Sequence, residues 1–184
     1  GREAAKYMAQ EMDESGNVIV IEGMSIPINA QRVNAFNEEM AKHSDIKILD
    51  SQPADWSPQK ALSVMENLLR KHKQVDAVWA GDDDVLKAVV QAIDEAGRDD
   101  IKLVVGGGGS KDVIGMIKKA HPTVKATVTY PPSMIASGIA LANTGVRGEN
   151  LGDMYHHVPS RIVLDAELIT RDNAADFYVE GAAY

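Results

Sequence analysis

Three consecutive acids, Asp82-Asp83-Asp84, four consecutive glycines, Gly106 to Gly109, and a tryptophan at position 56 have the types and placement to do chemistry in this 184-residue chain. Adjacent carboxylates invite a divalent cation, yet side chains at consecutive positions diverge, and no other acid or histidine is visibly paired with them. Two further readings stand beside the metal. One acid caps the following helix, where the backbone N–H groups and the dipole favour negative charge. Alternatively Asp82, the earliest, faces a cleft and accepts hydrogen bonds from the hydroxyls of a sugar or polyol. The glycine run either brings backbone N–H groups close to a ligand or anion, or makes only a tight turn. It is not a dinucleotide fingerprint, because Lys111 stands where the third glycine is needed, and it lacks the Gly-Lys-Ser/Thr of a phosphate loop. Trp56 stands between a strand end and a helix start, where an aromatic can stack on the apolar face of a sugar ring. Trp79, inside a strand pattern, reads as core. Arg32 near a helix start needs either a carboxylate partner or direct contact with a ligand.

Composition removes several alternatives. The chain has no cysteine, which excludes disulfides, iron–sulfur ligation and a thiol nucleophile. A net charge of -8 without a basic stripe argues against a nucleic-acid partner. Arg70-Lys71-His72-Lys73 falls at a helix end, where cations suit the dipole. His156-His157 lie in an irregular stretch and read as surface residues. No Ser/His/Asp set, His-Glu-x-x-His motif or paired carboxylates stand out, so an enzyme is not expected, and neither metal nor cofactor is called for. No apolar run approaches the ~20 residues of a membrane span. The opening Gly1-Arg2-Glu3 reads as the product of processing or truncation.

The elements that must position these residues follow from periodicity. A helical pattern over Ala4, Ala5, Met8 and Met12 leads into Val18-Ile19-Val20-Ile21, apolar on both faces as in a covered parallel sheet. A loop from Gly23 to Asn29 precedes a helix over 30–42. Strand Ile46–Leu49 is followed by Trp56, with Ser57-Pro58 opening the next helix. Strand Ala77–Ala80 leads to the acids and a helix ending at Gly97, and strand Leu103–Val105 to the glycines and a helix after Ser110. Ala126–Thr129 reads as a fifth strand. Repeated strand–helix units call for an α/β fold, a Rossmann-like three-layer αβα lobe with a mainly parallel sheet. Trp56, Asp82 and the glycines then share the carboxyl edge of the sheet, where open α/β sheets bind ligands. After Tyr130 the pattern changes. Pro131-Pro132 stops the strand, a helix of small residues runs over 133–142, residues 144–160 form no periodic element, and Ile162, Leu164, Ala166 and Leu168 alternate as an edge strand. Residues 171–184 read as a surface appendage.

These residues resemble, in order, the sugar-binding periplasmic proteins of ABC importers, the ribose/galactose-binding type of the type I periplasmic binding fold. Gly1-Arg2-Glu3-Ala4-Ala5-Lys6-Tyr7 is similar to the family helix that follows the first hinge crossing. Asn29 to Phe36 resembles its Arg-x-x-Gly-Phe helix, Ser51 to Trp56 a segment whose aromatic stacks on sugar, and Asp82-Asp83 an Asn/Asp-Asp pair whose first member contacts ligand. Tyr130 stands where a hinge glutamine often contacts ligand, and Leu168-Ile169-Thr170 with Asn173 resembles the closing strand. An arginine clamp of many members falls at Ala30 and a bidentate aspartate at Gly108, so the resemblance favours a different polyol, a modified sugar or a larger ligand.

The resemblance implies ligand contacts from Trp56, Asp82, Tyr130 and Asn29, with Arg32 and Gly108 beside them. It implies a hinge at Tyr130, Pro131, Pro132, Ser160 and Arg161. Residues 1–130 with 161–170 would form the carboxy-terminal lobe, and 131–160 would cross to an amino-terminal lobe missing from this sequence. A membrane permease, an extracytoplasmic location and self-association through the exposed lobe surface are the matching expectations. The effector domain of a LacI-type transcriptional regulator and a fragment of a small α/β enzyme are the alternatives.

Overall fold

A computed structural model describes residues 1–130, 134–148 and 163–182. Its elements in chain order are α1 (Arg2–Glu11), β1 (Ser15–Glu22), α2 (Pro27–Met40), β2 (Asp45–Pro53), α3 (Pro58–Lys71), β3 (Ala77–Ala80), α4 (Asp83–Glu95), β4 (Leu103–Gly108), α5 (Lys111–Lys118), β5 (Val124–Thr129), α6 (Met134–Gly148), β6 (Leu168–Ile169) and α7 (Ala174–Phe177). The strands make one sheet in the order β2-β1-β3-β4-β5-β6, parallel except for β6. From β1 the chain steps to one side to form β2 and then crosses back to β3 on the other. That reversal opens a crevice at the carboxyl ends of β1 and β3.

Strand period explains the layers. Val18 and Val20 point to one face, with α1 and α2; Ile19 and Ile21 point to the other, with α3, α4 and α5. All four are fully buried, which is why this run shows no polar alternation. On the first face Phe36 of α2 lies flat on Trp79 of β3, ring centroids 4.2 Å apart and planes 5° from parallel. Trp79 is thus core, as its strand pattern required. Full burial of a side chain the size of Phe36 stabilises by roughly 1.5–3 kcal/mol. Ser57 caps α3 and Pro58 takes its first position, where the missing N–H costs nothing.

Several boundaries depart from the sequence reading. Helix α2 starts at Pro27 rather than 30, which moves Arg32 from the first turn to the second. Gly106, Gly107 and Gly108 continue β4 instead of forming the turn. Helix α6 runs to Gly148, through residues read as aperiodic. Among the described residues of the alternating run only Leu168 falls in a strand, Leu168–Ile169, and the buried residue there is Ile169, opposite in phase to the sequence pattern. Residues 171–182 do not stand apart from the lobe. Ala174 is fully buried in the core, and Phe177 and Tyr178 pack against the same cluster. Pro131, Pro132, Ser160 and Arg161, named as hinge residues, and His156-His157 lie outside the described residues.

Candidate functional site

The crevice at the switch point is an open cleft of about 900 Å³ lined by Ile28, Arg32, Trp56, Asp82, Asp84, Tyr130, Met134 and Ile135. Four of the residues singled out in the sequence, Arg32, Trp56, Asp82 and Tyr130, therefore meet there, each delivered by a different element.

Trp56 follows β2 on a strained turn. Asp55 and Trp56 both take left-handed backbone angles, φ 54° each, a conformation that is rare for a bulky residue and is held only by its surroundings. The hold comes from Gly23, where a Cβ would sit 2.2 Å from the indole, so the missing side chain is what admits the ring. The indole Nε1–H lies buried on that side without a hydrogen-bond partner among the described residues.

Asp82 both caps and faces the cleft. One carboxylate oxygen accepts the Asp84 backbone N–H at 3.0 Å, opening α4, and the other accepts the Tyr130 hydroxyl at 2.8 Å. Arg32 reaches across from α2. Its guanidinium sits over the Tyr130 ring, 4.6 Å from the centroid, and one N–H donates to the Gly81 carbonyl at 3.2 Å. Gly81 in turn donates to Ile21 at 2.9 Å, which ties the rim of β3 to β1.

The middle acid has a different task. Asp83 is fully buried and accepts hydrogen bonds from the Ser110 backbone N–H at 2.6 Å and the Thr127 hydroxyl at 2.7 Å. It fastens the β3–α4 turn to the start of α5 and to β5. Burial pushes its carboxyl above the usual range, against the pull of the Ser110 and Thr127 hydrogen bonds. The glycines now have a reason. A Cβ at Gly106 would lie 2.3 Å from the Asp83 carboxylate and 2.8 Å from Leu86. Gly106 makes room for a buried acid. Asp84, the third acid, pairs with Lys87 at 2.9 Å. Among the described residues no group of three His, Cys, Asp or Glu side chains is placed to hold a metal ion.

Two expected ligand residues stand elsewhere. Asn29 is buried, accepts the Gly23 N–H at 2.8 Å and donates to Glu22 at 3.2 Å; it braces the β1–α2 loop and does not line the cleft. Gly108 ends β4 and accepts the Tyr130 N–H, also outside the cleft lining. Sequence reasoning missed Ile28, Met134 and Ile135, which form the cleft's apolar wall. Their signal was available as apolar side chains in segments without a core-facing pattern. No helix among the described residues is long and apolar enough to cross a membrane.

A family model described as a periplasmic binding protein domain matches residues 1–150. The chain is 33% identical over 157 residues to the ribose import binding protein of Salmonella typhimurium, covering 84% of this chain and 52% of the relative. It is 34% identical over 176 residues to the D-allose-binding periplasmic protein of Escherichia coli, 93% of this chain and 55% of that one. Among solved structures, an ABC transporter periplasmic solute binding protein from Actinobacillus succinogenes with bound D-allose superposes with a TM-score of 0.84 at 26% identity, over 96% of this chain and 59% of that one. The chain thus spans about half the length of the relatives it matches.

Proposed function

The chain belongs to the periplasmic binding protein domain family, and from that premise we propose that it is one lobe of the solute-binding component of a sugar or polyol ABC importer. It works outside the cytoplasm, delivers ligand to a membrane permease, and performs no catalysis. The observation that carries this reading is the convergence of Trp56, Asp82, Tyr130 and Arg32, from four separate elements, on one cleft at the switch point of the sheet. Trp56 offers an aromatic wall for a ring. The carboxylate of Asp82 keeps lone pairs for ligand hydroxyls beyond the two hydrogen bonds it already accepts. The sugars in the relatives' names, ribose and D-allose, support the same class of ligand.

Closure needs a second jaw. Ile135, Ile139 and Val146 of α6 are 74%, 59% and 75% exposed, and Met24, Ile26 and Ile28 beside the β1–α2 turn are also exposed. An apolar surface of this kind marks a covered interface. In our reading an amino-terminal lobe covers it, residues 131–160 cross to that lobe, and the cleft shuts around ligand by hinge motion. A half-walled site leaves much of a ligand hydrated and its hydroxyls unpaired. Calorimetry with a sugar and polyol panel tests this. The 184-residue chain alone should bind no closer than about millimolar, and the product of the whole reading frame about a thousandfold more tightly, the difference between an open and a buried ligand. Micromolar binding by the isolated chain would refute the two-jaw reading.

A further inference from the structure

We propose that Arg32 makes this cleft selective for a polyhydroxylated carboxylate, a sugar acid, over the corresponding neutral sugar. The inference rests on the sugar-binding reading of the same cleft and narrows it. Among the described residues two arginines are half-buried, in opposite situations. Arg98 is fully engaged: it donates to both carboxylate oxygens of Asp100, at 2.7 and 2.6 Å, and to the carbonyls of Leu69 and His72, at 2.9 and 3.0 Å. Arg32 donates once, to the Gly81 carbonyl, and has no ion pair among the described residues. Its guanidinium is held over the Tyr130 ring, so its orientation is set before any ligand arrives.

Neither acid lining the same cleft forms an ion pair with it. Asp82 is engaged by the Asp84 N–H and the Tyr130 hydroxyl, and Asp84 by Lys87. When a second lobe and a ligand exclude water, a guanidinium without a hydrogen-bonded carboxylate becomes costly, and a carboxylate on the ligand offsets that cost. The planar guanidinium fork with unused N–H donors suits a carboxylate, which accepts two parallel hydrogen bonds. A sugar hydroxyl accepts one hydrogen bond there and brings no charge to the guanidinium. The remaining hydroxyls of such a ligand then lie between the Asp82 carboxylate and the Trp56 ring, which a cleft of about 900 Å³ accommodates.

Calorimetry on the protein expressed from its whole reading frame, with matched acid and neutral ligands (galacturonate against galactose, gluconate against sorbitol, and further uronate–aldose and aldonate–alditol pairs), tests the assignment. The acid of at least one pair should bind tighter than its neutral partner by about tenfold or more, as a charge-assisted bidentate contact requires. The ratio should fall towards one in Arg32→Gln and stay intermediate in Arg32→Lys, which keeps the charge and loses the fork. Thermal melts of each variant establish that it is folded. Equal or tighter binding of the neutral member of every pair overturns the acid preference while leaving the sugar-binding reading intact. An acid preference that survives Arg32→Gln overturns the role of Arg32. Absence of binding across the whole panel sinks the sugar-binding reading and the acid preference with it.

Discussion

Replacing Asp83 separates two ways in which a buried acid can matter. In the native lobe its carboxylate accepts the Ser110 N–H at 2.6 Å and the Thr127 hydroxyl at 2.7 Å with no exposure to solvent. Asp83→Ala leaves a buried N–H and a buried O–H without acceptors, each a penalty of about 1–3 kcal/mol, partly offset because no carboxylate need be desolvated. A net loss of about 2–4 kcal/mol follows. Asp83→Asn keeps the shape. Its amide oxygen accepts from Ser110, and its NH2 donates to Thr127 once that hydroxyl rotates, so the loss should be about 1 kcal/mol or less. The two variants also differ in pH response. Burial raises the Asp83 carboxyl above its ordinary 3.8, so the folded lobe holds this proton to higher pH than the unfolded chain does. The contribution is complete below 3.8 and is lost as pH rises through the folded value. Asp83→Asn should therefore gain on the parent between acid and neutral pH. Urea denaturation of the three proteins at both ends of that range measures all of this. The reasoning fails if Asp83→Ala lies within about 1 kcal/mol of the parent, or if Asn proves as harmful as Ala at every pH.

Gly23→Ala would force a methyl group to 2.2 Å from the Trp56 indole; we expect a loss of about 1–3 kcal/mol and a shifted Trp56 indole N–H resonance with that of Trp79 unmoved, and an unchanged spectrum and stability would show that the glycine does not seat the ring. His121 Nδ1 accepts the backbone N–H groups of Thr123 and Val124 at 3.3 and 3.2 Å, and burial, assisted by Lys125 and opposed by Asp94, lowers its pKa below 6.5. This stability is full above 6.5 and declines as pH falls towards the folded value, so His121→Gln should flatten the unfolding free energy across that window, and an equally steep profile in the variant would discard the assignment.

Much of this was legible in order. The runs Val18–Ile21 and Ala77–Ala80 are apolar on both faces because helices cover both sides of the sheet, and that pattern alone indicates a parallel strand. Ser57-Pro58 and Ser110 announced their helices because capping is a contact within one turn. What failed depended on distant partners. The glycine run looked like a turn because nothing near it in sequence shows that Asp83, 27 residues before Ser110, needs the space. The buried bridging role of Asp83 gave no local signal, since its partner Thr127 is 44 residues away. Asn29 was placed by resemblance, whereas its hydrogen bonds to Gly23 and Glu22 are a local brace. Helix α6 was cut short because the residues after Ala142 lack periodicity, and from Ala142 to Val146 the side chains are exposed and select no face.

The seam between β5 and β6 closes the sheet at the point where the chain leaves it. Thr129 donates its N–H to the Glu167 carbonyl at 2.8 Å and receives the Glu167 N–H on its hydroxyl at 2.9 Å, beside the antiparallel pair Val128 and Leu168. Departure and return are stitched side by side, so the sheet treats the stretch from 131 to 166 as a graft on a finished edge. Such a graft can be lengthened, replaced or cut open to give new termini without unpicking the ladder beneath it. Changes in that stretch then reach the cleft through Met134 and Ile135 while the paired strands stay as they are.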